Sequence, residues 1–344
     1  MGASTSSSSS SAYVPPALPT RWNTDNYVAG LPSMQGKVVC VTGASTTDGL
    51  GWVTAKALAL RGARIILLNR SSERAVNAEK QLKEAVPGAI VSTVDCDLSS
   101  FASTRKAAEA IKAQFGATGI DVLCNNAGVM ALQDEATVDG YDVQMQTNHL
   151  SHFLLCRELF PLLEKAAELR GEARIVHHSS GARAMGFSLD AKYLGKNGGN
   201  LGGNSSSMLF GGARWLRYGQ SKLANACMTM ALRDKLQAKG SKVKALCAAP
   251  GLASTQLQAT TDRNQGMGSG TWFMSWGQSP ADGAMSLIEC CACPLLNGDC
   301  LEPNGVKGPP GRFYPDKEMI GCASPAARTL LWEESERAVG KWDL

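Results

Sequence analysis

The feature that most constrains the fold is an apolar strand that runs through a glycine-rich turn into an alanine-rich helix. The sequence predicts the strand over Val38–Thr42 and the helix over Trp52–Arg61. Glycines let a backbone approach a pyrophosphate, and the first turn of a helix offers unpaired N–H groups to an anion. The context therefore predicts a dinucleotide-binding turn. Its expected contacts are Gly43, Ser45, Gly49, Leu50 and Gly51.

Strand and helix patterns alternate along the rest of the chain. Short apolar runs predict further strands at Arg64–Leu68, Ile90–Val94, Ile120–Cys124, Arg174–His178 and Val243–Ala248. Longer segments predict helices at Glu73–Ala85, Thr104–Phe115, Asn148–Leu169 and Tyr218–Lys239. Such alternation is typical of parallel strands joined by crossover helices. The sequence therefore predicts an α/β fold with a doubly wound parallel sheet, in a single domain over residues 31–344.

Charge and hydropathy disfavour two classes of partner. The formal net charge is +4 and no basic cluster is interleaved with aromatic residues, so we expect no nucleic-acid partner. No stretch reaches the ~20 apolar residues that a membrane-spanning helix requires. Eleven cysteines, scattered along the chain, favour unpaired thiols in a reducing intracellular compartment. The cytoplasm, a membrane periphery and the plastid all fit that expectation.

Two groups of residues could suggest a metal, and both have a plainer interpretation. They are the cluster Cys290, Cys291, Cys293 and Cys300, and the pair His149 and His152. No histidine accompanies the cysteines, so packing is the favoured interpretation there. The histidines lie beside candidate site residues, where ordinary packing near a cofactor is favoured. We therefore predict no metal site.

The first thirty residues differ in composition from the rest. Residues 1–30 are rich in serine and proline and are expected to form a disordered tail. The start, Met-Gly-Ala-Ser-Thr-Ser, fits the pattern for N-myristoylation of Gly2, with Ser6 as the required hydroxyl residue. That modification would give weak contact with a membrane. A serine-rich linker or an organellar transit segment is the alternative.

Two long segments interrupt the strand–helix rhythm. Residues 183–217 form a glycine-rich insertion before the helix at Tyr218, and residues 255–278 carry Trp272, Phe273 and Trp276. Long loops without regular structure are often functional. We expect the insertion to be a lid that uses Met208, Leu209, Phe210 and Trp215 to cover an apolar substrate. A surface loop or a partner-binding patch is the alternative.

Tyr218 and Lys222 are the candidate catalytic pair. Residues four apart lie on the same side of a helix, and an ammonium beside a phenol favours the phenolate. Free tyrosine titrates near pH ~10, so acid/base work near neutrality needs a shift of about 4 kcal/mol. The pattern alone also arises on solvated helix faces, and its position downstream of the other motifs is what favours catalysis.

The end of the second predicted strand indicates which dinucleotide is bound. An NAD site usually has an acidic residue there to hold the ribose hydroxyls. This chain has Asn69 followed by Arg70, and an arginine can pair with a 2′-phosphate. The pair favours NADP(H). A solvent-facing Arg70 is the alternative.

Together the motifs resemble those of the short-chain dehydrogenase/reductase superfamily, over roughly residues 36–260. The motifs are Thr42-Gly43…Gly49-x-Gly51, Asp97-Leu98, Asn125-Asn126-Ala127-Gly128, Ser179-Ser180, Tyr218-x-x-x-Lys222 and Pro250-Gly251-x-x-x-Thr255. The resemblance implies a Rossmann-type sheet that binds NADP(H). It also implies hydride transfer to or from a carbonyl or alcohol of a small-molecule substrate.

The resemblance implies a role for each matched residue. Asn148 would hold a proton-relay water, Ser180 the substrate oxygen, and Tyr218 would be the acid/base. Lys222 would lower the pKa of Tyr218 and hold the nicotinamide ribose. The other implied cofactor contacts are Asp97 and Leu98 at the adenine, Asn125, Ala127 and Gly128 at the central strand and cofactor loop, and Pro250, Gly251 and Thr255 at the nicotinamide.

Within that superfamily the chain looks most like the retinol-dehydrogenase and protochlorophyllide-reductase-like branch. The segments 221–225 and 331–336 carry this similarity. Light-dependent protochlorophyllide reductases have cysteines where this chain has Ala224 and Leu252, which argues against that activity. The glycine turn and the segment between Ser180 and Tyr218 are both longer than the family's usual pattern.

Two functions fit these observations. The first is an NADP(H)-dependent oxidoreductase acting on a bulky, apolar carbonyl or alcohol. The second is an NADP(H)-sensing or scaffold protein of the same fold with little turnover. A complete Asn-Ser-Tyr-Lys set favours the enzyme, whereas an insertion that blocked the pocket would favour the sensor. The sequence leaves the substrate, the physiological direction and the oligomeric state open.

Overall fold

Eight strands of the described chain form one sheet. A computed structural model describes residues 13–185, 188–208, 211–267, 272–317 and 323–344. The strands are β1 (Val38–Thr42), β2 (Arg64–Asn69), β3 (Val91–Asp95), β4 (Val122–Asn125), β5 (Ala173–His178), β6 (Val243–Ala248), β7 (Cys300–Pro303) and β8 (Pro310–Arg312). Their order is β3-β2-β1-β4-β5-β6-β7-β8, with β8 antiparallel to β7. The reversal of order between β1 and β4 confirms the predicted doubly wound sheet and opens a crevice at their carboxyl ends.

Helices cover both faces of the sheet. They are α1 (Asp25–Gly30), α2 (Leu50–Leu60), α3 (Glu73–Ala85), α4 (Phe101–Phe115), α5 (Val143–Met145), α6 (Ser151–Arg170), α7 (Ala191–Leu194), α8 (Ala213–Lys239), α9 (Gln256–Arg263), α10 (Pro280–Gly283), α11 (Met285–Ala292) and α12 (Pro325–Val339). A π-helical turn, Gln146–Leu150, joins α5 to α6, and 3₁₀ turns lie at Gly181–Met185 and Trp272–Trp276. The predicted helix over Asn148–Leu169 is therefore part of a longer element that begins at Val143.

The strands send successive side chains into two apolar layers, as their pleat requires. Val39 and Val41 lie in the layer that α2, α3 and α11 cover. Cys40 lies in the opposite layer, beneath α4, α6, α8 and α12. Because both faces are covered, β1 is buried along its whole length, which explains why it reads as a continuous apolar run.

Local sequence signals set the ends of the main helices. The hydroxyls of Ser72 and Ser100 accept hydrogen bonds from the first-turn N–H groups of α3 and α4. Gly171 and Gly240 end α6 and α8 in the left-handed conformation that glycine adopts at low cost. These caps end α8 at the predicted Lys239 and α6 one residue beyond the predicted Leu169.

Part of the expected disordered tail is folded. Residues 25–30 form α1, and the segment from Tyr13 to Asn23 lies against the domain through hydrogen bonds to Ser254, Ser279 and Asp282. The prediction of disorder over residues 1–30 is therefore wrong for its described part. Gly2 and Ser6 lie outside the described residues.

The insertion at residues 183–217 is more structured than its glycine content suggested. Its last residues belong to α8, which begins at Ala213 rather than at Tyr218, and its first part contains a 3₁₀ turn and α7. Leu209 and Phe210 lie outside the described residues, as do the side chains of Trp272 and Phe273.

None of the helices in the described ranges is both long and apolar enough to cross a membrane. Within those same ranges, no group of three histidine, cysteine or acidic side chains is arranged to hold a metal ion.

Candidate active site

The structure brings Ser180, Tyr218 and Lys222 together at the carboxyl end of β5. Ser180 follows that strand, and the long helix α8 carries the other two residues past it. The Ser180 hydroxyl lies close enough to Tyr218 to affect the pKa of its phenol. The Lys222 Nζ donates to the His178 carbonyl at 3.0 Å and lies 5.7 Å from the centre of the Tyr218 ring. Three of the four predicted catalytic side chains thus lie together, with Tyr218 and Lys222 buried and Ser180 half-buried.

Burial decides the protonation state of this pair. It raises the pKa of Tyr218 to about 12, although the nearby Ser180 hydroxyl acts in the opposite direction. Burial also lowers the pKa of Lys222 to about 8. The sequence predicted that Lys222 would lower the pKa of Tyr218, whereas here Ser180 is the group that does so. The phenol is consequently protonated near neutral pH and carries a proton that it could donate.

Asn148 clamps the loop that follows β4. Its Oδ1 accepts from the Val129 N–H at 2.8 Å, and its Nδ2 donates to the Val129 carbonyl at 3.0 Å and to the Ser221 hydroxyl at 2.8 Å. The Ser221 hydroxyl in turn donates to the carbonyl of Tyr218. The side chain therefore joins the loop after β4 to α8. Its role in holding a relay water stays a prediction.

His152 is a site residue whose connecting role the sequence analysis missed. Its Nδ1 lies 3.0 Å from the Asn148 carbonyl, and its Nε2 lies 3.0 Å from the Thr42 hydroxyl. Burial lowers its pKa to about 4, so the ring is neutral at pH 7. Because a carbonyl only accepts, Nδ1 carries the proton and the Thr42 hydroxyl donates to Nε2. The spacing His149-x-x-His152 was interpreted as packing, and only the tertiary contacts reveal this bridge.

The glycine turn has the shape of an anion cradle. Gly43 has φ +69°, and a Cβ there would lie 2.7 Å from the Cα of Ala127. Gly49 caps α2 without any side-chain hydrogen bond, so the first N–H groups of that helix have no side-chain acceptor. Ser45 and Leu50 are half-buried beside them. The turn therefore leaves helix N–H groups available to a phosphate.

Asn69 and Arg70 differ in what they offer at the end of β2. Asn69 is buried, and its Oδ1 accepts from the Ala44 N–H at 2.8 Å. Its Nδ2 is buried without a hydrogen-bond partner among the described residues. Arg70 is exposed. A buried donor that lacks an acceptor is costly, so Asn69 fits a position that a bound polar ligand completes.

The other predicted adenine-side and central residues are mostly part of local structure. Asp97 Oδ1 accepts from the N–H and the hydroxyl of Ser99, and Leu98 is buried. Asn125 Nδ2 donates to the Cys156 Sγ at 3.1 Å. At Gly128 a Cβ would lie 3.2 Å from both the Lys222 Nζ and the Asn148 Oδ1. A larger residue at this position would therefore crowd Lys222 and Asn148.

The segment after β6 uses Thr255 as a helix cap. Its hydroxyl accepts from the Leu257 N–H at 3.3 Å, and its backbone N–H donates to the Gln258 Oε1 at 2.9 Å, which forms a capping box for α9. The hydroxyl also donates to the Gln258 Oε1 at 2.8 Å. Pro250 accepts from the Gln278 side chain, and Gly251 has φ +62° close to Val306. The predicted contact of Thr255 with a nicotinamide stays a prediction, because this side chain is engaged within its own helix.

An apolar cluster surrounds Tyr218. We call it the Tyr218 cluster: Met130, Ala131, Trp215, Tyr218, Met267 and Met274. Met208 packs against it, as the lid hypothesis expects. Trp276 is 62% exposed and does not belong to it. Methionines fill irregular spaces and adapt to different partners, so this wall suits an apolar ligand.

Comparison with known proteins places these features in context. A family model described as short chain dehydrogenase matches residues 37–200. Human retinol dehydrogenase 11 is 34% identical over 258 residues, which cover 75% of this chain and 73% of that protein. The chloroplastic short-chain dehydrogenase TIC 32 A of Brassica napus is 30% identical over 300 residues, 85% of this chain and 86% of that one. An uncharacterized oxidoreductase of Schizosaccharomyces pombe is 37% identical over 66% of this chain, a match that spans 63% of the yeast protein.

Solved structures share the fold. An uncharacterized protein from Mycobacterium paratuberculosis is 31% identical, with a TM-score of 0.70 over 92% of this chain and 98% of that one. L-Sorbose reductase from Gluconobacter frateurii, crystallised with NADPH and L-sorbose, is 22% identical, with a TM-score of 0.56 over 76% of this chain and 91% of that one. The latter likeness concerns the fold alone.

Proposed function

Because this chain belongs to the short-chain dehydrogenase/reductase family, we propose that it is an NADP(H)-dependent oxidoreductase acting on a carbonyl or alcohol. The observation that carries the proposal is the position of the buried Tyr218 beside the half-buried Ser180 and next to Lys222. A protein that only sensed or carried the cofactor would have no need for a buried proton donor beside a second hydroxyl. The arrangement thus favours turnover over the sensor or scaffold alternative.

The described residues fit an NADP(H) molecule at two places. The first turn of α2, with its uncapped N–H groups, would hold the pyrophosphate. The unpartnered Asn69 Nδ2 and the exposed Arg70 would hold the ribose and its 2′-phosphate. When bound, NADPH supplies the hydride. The protein's own contribution is orientation and a proton.

Ser180 and Tyr218 would have different roles at the substrate oxygen: Ser180 would bind it, and Tyr218 would exchange a proton with it. Ser180 accepts from the Ala182 N–H at 3.2 Å, which orients its hydroxyl between that amide and Tyr218. Tyr218 is the acid for reduction and the base for oxidation. Lys222 lies close enough to stabilise the phenolate when the proton has left. The relay would run through the region that Asn148 and His152 hold together.

The substrate we propose has a bulky apolar body. The support is the Tyr218 cluster, with Met130, Trp215, Met267 and Met274 around the proton donor. One relative bears the name retinol dehydrogenase, which agrees with an apolar alcohol or aldehyde. Because another relative is named chloroplastic, the plastid stays among the compartments we propose.

The test is a Tyr218→Phe variant assayed with propanal, decanal and retinaldehyde. We expect kcat to fall by at least about 10²-fold because general acid catalysis is lost. The Kd for NADPH should stay the same, since the ring remains. Tyr193→Phe, which changes another buried tyrosine in α7, is the matched control and should behave as wild type. NADPH binding by the wild type without oxidation on any carbonyl would instead support the sensor.

A further inference from the structure

The segment that precedes α1 crosses from the Tyr218 cluster to α10. We call residues 13–23 the strap. The Pro16 carbonyl accepts from the Ser254 hydroxyl at 2.8 Å, and the Thr20 hydroxyl donates to the Ser279 hydroxyl at 3.1 Å. Prolines at positions 15, 16 and 19 restrict the conformations of the strap when it is not docked. The strap therefore loses less conformational entropy when it docks on the domain.

Asp282 latches the far end of the strap. Its carboxylate accepts three consecutive backbone N–H groups at 2.9 Å each, those of Arg21, Trp22 and Asn23. The side chain of Asn23 also donates to the Ala281 carbonyl at 2.7 Å. Asp282 is 2% exposed, and charge-assisted hydrogen bonds to a buried carboxylate are strong. The strap is therefore a docked part of the fold.

Tyr13 at the near end of the strap meets the candidate substrate site. Its ring packs against the Tyr218 cluster, together with Leu252 and Leu257 from the segment that Ser254 anchors. Its hydroxyl is buried and has no hydrogen-bond partner among the described residues. Burial, with Asp262 of α9 nearby, raises the pKa of this phenol. An apolar ring with an unpaired hydroxyl beside a catalytic tyrosine is suited to meet a ligand.

We propose that the strap is one wall of the substrate site and that Tyr13 is a specificity-determining residue. The inference rests on the proposed function, since it assigns Tyr13 to the site at which Tyr218 acts. The ring of Tyr13 contacts the apolar body of a long or bulky carbonyl, and Asp282 holds it there through the strap. Small carbonyls can reach Tyr218 without filling the Tyr218 cluster, and they do not contact the ring of Tyr13.

Two variants of the full-length chain test this assignment. Tyr13→Ala removes the ring, and Asp282→Ala releases the strap. In both we expect kcat/KM for decanal to fall at least about tenfold, and that for propanal to change little. The Kd for NADPH should stay at the wild-type value. Val14→Ala is the matched control because Val14 belongs to the strap but is 78% exposed.

Hydrogen exchange separates a failed inference from a failed proposed function. The amides of Arg21, Trp22 and Asn23 should be protected in the wild type and should exchange faster in Asp282→Ala. A wild-type ratio of decanal to propanal efficiencies in Tyr13→Ala would overturn the inference while leaving the enzyme assignment intact. If no carbonyl is reduced at all, the proposed function fails, and the substrate wall fails with it. Unprotected strap amides in the wild type would overturn the docking itself.

Discussion

At the scale of single residues, the end of β2 shows how one side chain can be inferred from sequence and completed by structure. Asn69 and Arg70 replace the acidic residue of an NAD site, and this substitution is visible in the sequence. Only the structure shows that the Asn69 Oδ1 accepts from the Ala44 N–H, and that its Nδ2 is buried without a hydrogen-bond partner in the described part of the chain. The Asn69 Nδ2 is therefore the donor that we propose for the contact with the cofactor ribose.

Arg70 should determine the preference between the two dinucleotides. A charge-assisted hydrogen bond to the 2′-phosphate is worth ~1.5–3 kcal/mol, so Arg70→Ala should lower the preference for NADPH over NADH by roughly tenfold to a hundredfold. Titration of both cofactors measures this ratio. Lys80→Ala is the matched control, because Lys80 is a cation on α3 with a 72% exposed side chain. Equal affinity of the wild type for NADPH and NADH would show that Arg70 is a solvent-facing charge without a contact to the 2′-phosphate.

At the scale of elements, Arg217, the residue of α8 just before Tyr218, holds the insertion against that helix. Arg217 is fully buried and donates to the carbonyls of Leu201 and Gly203, while Asp134 accepts from the N–H groups of the same two residues. The Asp142 carboxylate lies 3.3 Å from the Arg217 Nε. The glycine-rich stretch is therefore anchored at residues 201–203, so any lid motion must involve the residues beyond that anchor.

Replacing Arg217 by methionine should be strongly destabilising. The change removes the positive charge that faces two buried carboxylates, and breaking a buried ion pair on one side costs ~3–5 kcal/mol. Urea unfolding of Arg217→Met measures the loss. Arg263→Met, an exposed arginine on α9, is the control and should change stability by less than about 0.5 kcal/mol. A loss for Arg217→Met as small as that of the control would show that the cluster does not hold the insertion.

The anchor also changes how the lid hypothesis should be tested. Replacement of residues 195–212 would remove the Leu201 and Gly203 carbonyls that accept from Arg217, and a loss of stability could then not be separated from a loss of substrate closure. Met208→Ala keeps the anchor and removes a side chain that packs against the Tyr218 cluster. It is therefore the cleaner variant for separating a lid from a surface loop.

At the scale of the whole molecule, four buried histidines make stability depend on pH. Burial lowers the pKa of His149 to about 3, of His152 to about 4, of His178 to about 3, and that of His177 well below its ordinary value. The unfolded chain takes up these protons near pH ~6.5, so it binds more protons than the folded chain as the pH falls below that value. Stability should therefore be lost on acidification.

We expect each imidazole to lower the free energy of unfolding by about 2 kcal/mol when the pH falls from 7 to 5. Asp142 opposes this trend: burial raises the pKa of its carboxyl to about 6, so the folded chain gains a proton there first. Four groups outweigh one, and the free energy of unfolding should fall steeply over this range. Urea unfolding at pH 5, 6 and 7 measures the slope, which His177→Asn should reduce. A flat profile would contradict the assignment of four neutral, buried imidazoles.

The elements that the sequence predicted well are those with local causes. β1, α3 and β6 begin and end at the predicted residues, because apolar runs, serine caps and glycine or proline stops act within a few positions. The last two strands were not predicted. β8 is short and half-exposed, and it carries Pro310 and Gly311, which are poor strand formers. Its place depends on pairing with β7 at the sheet edge.

What the sequence by itself determined is the doubly wound fold and the order of the site motifs, because periodicity and glycine turns are local properties of the chain. The family motifs also predicted that Ser180, Tyr218 and Lys222 form a site, and the structure places these three residues together. The tertiary structure alone decided the bridge made by His152, the anchor at Arg217 and the docking of the strap on Asp282. These depend on residues far apart in the chain whose pairing has no periodic signal. Burial then decided their chemistry, since the low dielectric that neutralises the histidines and protonates Tyr218 exists only once the layers have closed.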